Sequence, residues 1–222
     1  NFHLLNWREL FYLINYYVFN KILNKSEYSV KKKKKIIDKY TNVRVNLPNN
    51  VDTHTTPIEA IACYEYQTIA SFPVCIDPNP KSNEHDACAA TDMAGNSQGG
   101  PIAVKNIAVE SGLGRMRFII DLENVGFGKL IDYNSCPFGY KYNDMNNIRN
   151  YKVEIPGINL NCEPDSRSLK INEQGTGRIY CQAENLNQDQ SAYQSVMTIT
   201  LDYDYKDDTS TSMQIRGDVW QE

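Results

Sequence analysis

The six cysteines are the residues whose chemistry this sequence predicts most directly. None of them occurs in a C-x-x-C pair and the chain has only three histidines, so the spacing assembles no zinc site. An even number of cysteines in a polar β protein predicts disulfides and an oxidising compartment. Cys63 and Cys136 either pair or stay free, and buried reduced thiols are the alternative for all six. The two favoured local disulfides are Cys75 with Cys88 and Cys162 with Cys181.

Oxygen ligands of the kind that Ca²⁺ prefers are clustered in one acidic loop. This loop lacks the residue order of an EF-hand, and a solvated acidic loop is the favoured interpretation. We expect no cofactor and no established metal site. The calcium candidates are Asp77, Glu84 and Asp86. A second acidic cluster comprises Asp202, Asp204, Asp207 and Asp208.

Catalytic groups are not arranged in any pattern that dictates a reaction. His54 and His85 lie in predicted loops, with no nucleophile signature near either of them. The glycine pairs Gly99-Gly100 and Gly112-x-Gly114 do not open helices, so a phosphate-binding loop is not predicted. We therefore expect no catalytic residue and a protein that is not an enzyme.

The charge is divided unevenly along the 222 residues, although the formal net charge is only −4. Residues 1–47 contain ten Lys/Arg and three Asp/Glu, which gives +7, and the remainder carries −11. Apolar residues recur at helical spacing in the first part, which predicts an amphipathic helix. Its apolar stripe is formed by Leu4, Trp7, Phe11, Ile14 and Val18. The lysine run that follows is Lys31, Lys32, Lys33, Lys34 and Lys35.

A helix followed by such a lysine run suits three kinds of partner. The favoured one is a partner subunit or a second copy of the chain. The second is an anionic membrane surface, since aromatic amphipathic helices and polybasic segments bind lipid. Nucleic acid is the least favoured. In a simpler interpretation the arm only tethers the body.

The acidic body has the pattern of a mainly β protein. Short segments of alternating apolar and polar residues are separated by turn residues, which is typical of half-buried antiparallel strands. This predicts an immunoglobulin-like antiparallel β-sandwich. The predicted divisions are 1–47, helix and basic arm; 48–100, an extended, loop-rich, Cys-containing segment; and 101–222, the sandwich. The predicted strands are Ile58–Ala70, Ile102–Glu110, Arg115–Glu123, Phe127–Tyr133, Tyr151–Ile155, Gly177–Gln182, Ser195–Tyr203 and Ser212–Arg216.

Several segments of the body together resemble uncharacterised archaeal cell-envelope proteins from small-genome lineages. They are Phe72-Pro-Val-Cys-Ile-Asp-Pro, Gly99-Gly-Pro-Ile-Ala-Val-Lys, Phe118-Ile-Ile-Asp-Leu-Glu-Asn-Val-Gly-Phe-Gly and Gly177-Arg-Ile-Tyr-Cys. The Asn124-Val-Gly-Phe-Gly segment is also similar to the strand-turn of CARDB-type adhesion modules. The resemblance implies an extracytoplasmic, membrane-anchored sandwich with no known activity. Members carry a clear transmembrane helix at the N-terminus, which this chain does not show.

Taken together, these observations predict a non-enzymatic structural protein of the cell envelope or cell surface. It would assemble with itself or with a larger surface structure, as a filament, an array or a surface complex. The alternative is a membrane-associated, adhesin-like binding module or an accessory subunit of a membrane complex.

Overall fold

Alternation of apolar and polar residues builds β-strands throughout the part of the chain that can be described. The computed structural model describes residues 53–82, 87–95, 98–131 and 146–216. Within these ranges there are nine strands. They are β1 (Thr53–Ile76), β2 (Met93–Ala94), β3 (Ile102–Gly112), β4 (Arg115–Asn124), β5 (Lys129–Ile131), β6 (Asn150–Glu154), β7 (Leu160–Glu163), β8 (Thr176–Ala183) and β9 (Tyr193–Arg216).

The strands form two antiparallel sheets. The first, sheet A, has the order β1-β9-β5, and β6 pairs with β9 on the same side as β5. The second, sheet B, has the order β2-β3-β4-β8-β7. The mainly β prediction is therefore confirmed, in a sandwich-like arrangement of two antiparallel sheets.

One hydrophobic core joins the two sheets, because each strand turns alternate side chains inward. On β4, Met116, Phe118, Ile120 and Leu122 are all at most 1% exposed, whereas Arg115 and Arg117 lie on the outer face. The inward set on the other sheet includes Phe72, Val74 and Ile76 of β1 and Met197, Ile199 and Leu201 of β9.

Two strands of sheet A, β1 and β9, are longer than the sequence predicts, whereas β5 begins later and leaves Phe127 in the turn before it. β1 and β9 are each 24 residues long and pair along their whole length, from Thr53 opposite Arg216 to Ile76 opposite Tyr193. Two predicted strands, Ser195–Tyr203 and Ser212–Arg216, belong to the single strand β9. Strands β2 and β7 were not predicted. β1 also lies in the segment 48–100, so this segment contributes directly to sheet A.

Both favoured disulfides are confirmed. Cys75 and Cys88 have Cα atoms 5.8 Å apart, and this bridge ties the end of β1 to the chain before β2. Cys162 and Cys181 are directly opposite each other on β7 and β8, with Cα atoms 4.1 Å apart. Cys63 is also disulfide-bonded, which agrees with the first of its two alternatives, and Cys136 lies outside the described ranges.

Candidate functional site

The most distinctive feature of the fold is a two-stranded ribbon that continues beyond the sandwich. β5 pairs with β9 only as far as Lys206. Beyond it, residues 53–62 pair with residues 207–216, and no other described strand joins them. At about 3.3 Å per residue, this projecting ribbon is about 33 Å long. Most of its characterised side chains are exposed.

Four tyrosines lie at the root of the projecting ribbon and form a tyrosine cluster. Tyr64 is opposite Tyr205 and Tyr66 is opposite Tyr203, so all four side chains project from the same face of the two strands. The rings of Tyr66 and Tyr203 stack, with centroids 5.7 Å apart and planes 15° apart. Tyr203 and Tyr205 are almost fully buried, whereas Tyr64 and Tyr66 are partly exposed. The cluster therefore covers the end of the core where the ribbon leaves it.

Tyr203 completes a closed ring of hydrogen bonds with Thr68 and Ile102. The Thr68 hydroxyl donates to the Ile102 carbonyl over 3.0 Å, and the Ile102 amide donates to Tyr203 Oη over 3.2 Å. The hydroxyl groups of Tyr203 and Thr68 are 2.7 Å apart. Because Thr68 uses its proton on Ile102, Tyr203 is the donor in this last bond. The ring connects β1, β9 and the start of β3 through buried groups.

Tyr205 is held by the turn that follows β4. Its hydroxyl donates to Asn124 Oδ1 over 2.9 Å, and the Gly126 amide donates to the same oxygen over 3.2 Å. The Asn124 amide group in turn donates to the Gly128 carbonyl over 3.0 Å. One asparagine side chain thus fixes both the turn and the tyrosine. This gives the Asn-Val-Gly-Phe-Gly segment a structural role in this chain.

Glycines are required where loops approach the tyrosine cluster. A Cβ atom at Gly100 would lie 2.1 Å from Thr68 Oγ1, and one at Gly126 would lie 2.4 Å from Tyr205 Oη. Tyr203, which also contacts Gly100, and Tyr205 have no room to move, because both are packed in the core. The two glycine-containing loops therefore close over the cluster.

Burial raises the pKa of each tyrosine in the cluster above its ordinary value. For Tyr203 desolvation dominates, and the hydrogen bond that the Ile102 amide donates to its oxygen acts in the opposite direction. For Tyr64 burial is again the main cause of the raised pKa, and a hydrogen bond to the Asp207 carboxylate adds to it. The four phenol groups therefore stay protonated to a higher pH than the side chain of an exposed tyrosine.

The acidic cluster on β9 does not converge on a cation. Asp202 accepts a hydrogen bond from Gln67 over 2.8 Å, and the buried Asp204 pairs with Arg149 over 3.1 Å. Asp207 accepts from Tyr64, and Asp208 lies 3.6 Å from Lys206. Each of the four carboxylates thus has its own protein partner. Among the described residues, no three His, Cys, Asp or Glu side chains could hold a metal ion together.

The calcium candidates are only partly within the described ranges. Asp77 is 8% exposed and accepts a hydrogen bond from the Asn79 amide over 3.1 Å, so it stabilises the turn after β1. The other two candidates, Glu84 and Asp86, lie outside the described residues. The predicted partner-contact residues of the N-terminal stripe and of the lysine run, from Leu4 to Lys35, also lie outside them.

Two surface clefts occur beside the outer face of sheet B. The hairpin cleft, of about 220 Å³, lies at the β3–β4 turn and is lined by Glu110, Gly112, Arg115, Arg117 and Gln182. The second cleft, of about 440 Å³, shares Gln182 and is lined mainly by amide and aliphatic side chains between β7 and the chain after β8.

Comparisons with known proteins yield no assignment. No family model matches the chain, and no match is found among curated proteins or solved structures. The described part of the chain has no helix with the length and apolar character needed to cross a membrane.

The tyrosine cluster and the projecting ribbon were not recognised in the sequence analysis. A partial signal was present, because the sequence contains three Tyr-x-Tyr pairs, and two of them, Tyr64-x-Tyr66 and Tyr203-x-Tyr205, supply the cluster. The spacing of two places both members of a pair on one face of a strand. Their mutual contact depends on the pairing of β1 with β9, which joins residues about 140 positions apart.

Proposed function

We propose that this protein is a non-enzymatic structural component of the cell envelope or cell surface, and that it assembles with copies of itself. The observation that carries the proposal is the projecting ribbon. Two strands with mostly exposed side chains are at best marginally stable alone in water. A ribbon of this length is therefore expected to be covered by a neighbour in the working state of the protein.

The edges of the ribbon support this role. Beyond Lys206, β9 has no described neighbour opposite β1, and β1 has none on the side away from β9. Unpaired strand edges are templates for pairing with another chain. Pro57 and Pro73 both lie on β1, which is an edge strand of sheet A. Prolines are tolerated on edge strands, because a proline has no N–H group to donate to a further strand. They limit strand addition at these points and leave the stretch between them available.

Charge gives the association a direction. The arm before residue 48 carries +7 and the rest of the chain −11. Opposite charges on two parts of one molecule favour contact between the arm of one copy and the body of the next. Because such a contact is heterologous, it produces filaments or arrays when it does not close into a ring.

The disulfides support an extracytoplasmic location, because they persist in oxidising compartments. The two antiparallel sheets support an immunoglobulin-like sandwich, and we propose the same envelope class that the sequence resemblance implies. Non-reducing peptide mapping of protein isolated from its native source tests the compartment. Recovery of six free thiols would overturn it.

Sedimentation velocity of the full chain tests the assembly. We expect concentration-dependent association that weakens as salt rises, since the Debye length falls from about 30 Å at 0.01 M to about 8 Å at 0.15 M. Replacing Lys31 to Lys35 by glutamate should abolish association, whereas replacing the same five lysines by arginine should preserve it. A chain that stays monomeric at high concentration and low salt would contradict the proposal.

A membrane-associated, adhesin-like binding module is the second candidate. It is favoured by the two clefts that share Gln182 on sheet B, which together offer amide, carboxylate and guanidinium groups. In this case the arm would lie on lipid. If the monomer floats with anionic vesicles and does not float with neutral vesicles, this function is favoured over self-assembly.

A further inference from the structure

The turn between β4 and β5 exposes an aromatic side chain on a rigid support. Phe127 is fully exposed, at 106% of its reference area, and Val125 is 53% exposed. Phenylalanine is enriched at protein interfaces, where a few anchor residues carry most of the binding energy. The turn is therefore a candidate contact surface.

The turn is held in one conformation by hydrogen bonds at both ends. The amides of Val125 and Gly126 donate to the Pro101 carbonyl over 2.8 and 3.3 Å, and Asn124 connects the turn internally. A Cβ at Gly128 would lie 2.1 Å from the Lys206 carbonyl, so the chain is packed tightly against β9. Because the loop is already ordered, burial of Phe127 would cost little further conformational entropy.

A complementary site lies at the opposite end of the sandwich. β4 runs for ten residues, from the hairpin cleft to the Phe127 turn, which is about 34 Å. The amide of Gly114 donates to the Pro78 carbonyl, so the β3–β4 turn lies at the end remote from the ribbon. One molecule therefore cannot place its own Phe127 in its own cleft.

The guanidinium groups that line the hairpin cleft give it a means of binding a phenyl ring. The cleft has a volume of about 220 Å³, and its lining also includes Glu110, Ser111, Met116 and Gln182. Arg115 and Arg117 line it, and Arg117 Nη1 lies 3.6 Å from Glu110 Oε2. Guanidinium groups bind the faces of aromatic rings.

We propose that Phe127 of one copy inserts into the hairpin cleft of the next, between Arg115 and Arg117. This proposal rests on the proposed self-assembly and identifies the contact that sets its direction. Because the anchor and the cleft occupy opposite ends of β4, the contact is heterologous and repeats from copy to copy. The projecting ribbon, which leaves the sandwich at the Phe127 end, would then run along the neighbouring copy.

Truncation of the anchor gives the first test. In sedimentation experiments on the full chain, Phe127→Ala should raise the concentration needed for half-association at least tenfold, as expected for an aromatic anchor. Val196→Ala is the matched control, because it removes an apolar side chain that is 49% exposed on the outer face of sheet A. It should change that concentration less than about twofold. Equal association of Phe127→Ala and the unaltered chain would overturn the proposal and leave the proposed function intact.

Directed cross-linking gives the second test. Full chains carrying Phe127→Cys and Gln182→Cys should form a mixed disulfide dimer when combined under mild oxidation, and Phe127→Cys with Val196→Cys should not. A dimer formed only between two Phe127→Cys chains would contradict the head-to-tail contact. A third outcome is that no mixed dimer forms, while the unaltered chain floats with phosphatidylcholine vesicles and Phe127→Ala does not. This outcome would show that Phe127 inserts into lipid instead. If the unaltered chain does not associate at all, it is the proposed function that fails.

Discussion

The hydroxyl of Tyr205 donates a hydrogen bond to Oδ1 of Asn124 over 2.9 Å, although 81 residues separate the two along the chain. This bond fastens the turn after β4 to the point on β9 where the projecting ribbon begins. The turn after β4 and the root of the projecting ribbon thus share one partly buried polar contact, and its removal should disturb both.

Asn124→Ala should lower the free energy of unfolding by about 1–3 kcal/mol. It leaves the Tyr205 hydroxyl without its acceptor in a partly buried site, which costs the desolvation of that group. Val125→Ala is the matched control, since its side chain is exposed in the same turn, and it should change stability by less than about 0.5 kcal/mol. Urea denaturation measures both. Equal free energies of unfolding for Asn124→Ala and Val125→Ala would show that the hydrogen bond between Tyr205 and Asn124 contributes nothing to stability.

Thr68→Val should break the hydrogen-bond ring and destabilise the fold by about 1–3 kcal/mol, because Tyr203 then has no acceptor in the core. Thr68→Ser keeps the hydroxyl group and should therefore retain most of the stability that Thr68→Val loses. The same denaturation experiment compares the two variants. If serine proved as destabilising as valine, packing of the threonine methyl group, and not the ring, would be the cause.

Removal of either disulfide should destabilise the chain by about 2–4 kcal/mol, according to the loop-entropy relation. The bridged residues are 13 positions apart for Cys75–Cys88 and 19 for Cys162–Cys181. Cys181 is also fully buried, so the double alanine variant at 162 and 181 should lose more than the one at 75 and 88. Denaturant midpoints test this order, and the reverse order would contradict it.

The tyrosine cluster should make stability fall at high pH. Each tyrosine has a pKa raised by burial, so the folded protein retains protons that the unfolded chain loses above pH ~10. The contribution of these groups is constant below that pH and decreases as pH rises towards the folded pKa. Tyr203→Phe should make the decrease shallower, with Tyr180→Phe as a control for an exposed ring. The free energy of unfolding, measured from pH 8 upwards, checks the slope.

Amide hydrogen exchange should separate the projecting ribbon from the strands that continue into the sandwich. In the dilute monomer, residues 53–62 and 207–216 should exchange faster than residues 64–76 and 193–205, because they lie in only two strands. On association the first group should become protected. Equal protection of both groups in the monomer would contradict the marginal stability that we assign to the ribbon.

The β class and the two disulfides were predictable because both depend on local pattern. Alternation over five to ten residues defines strands such as β4, and the loop between Cys75 and Cys88 has little apolar content to order it otherwise. The continuity of β9 was not predictable, because its polar stretch from Asp207 to Ser212 has no apolar face. These residues form a strand only because β1 pairs with them.

The sequence by itself determined the charge division, the inward-facing residues of most strands and the chemistry of the cysteines, since these follow from residue type and short-range spacing. Only the tertiary structure decided that the Tyr-x-Tyr pairs of β1 and β9 meet, that Asn124 holds Tyr205, and that Phe127 and the hairpin cleft lie at opposite ends of one strand. The physical reason is strand pairing over long sequence separation, which brings together residues that no local pattern connects.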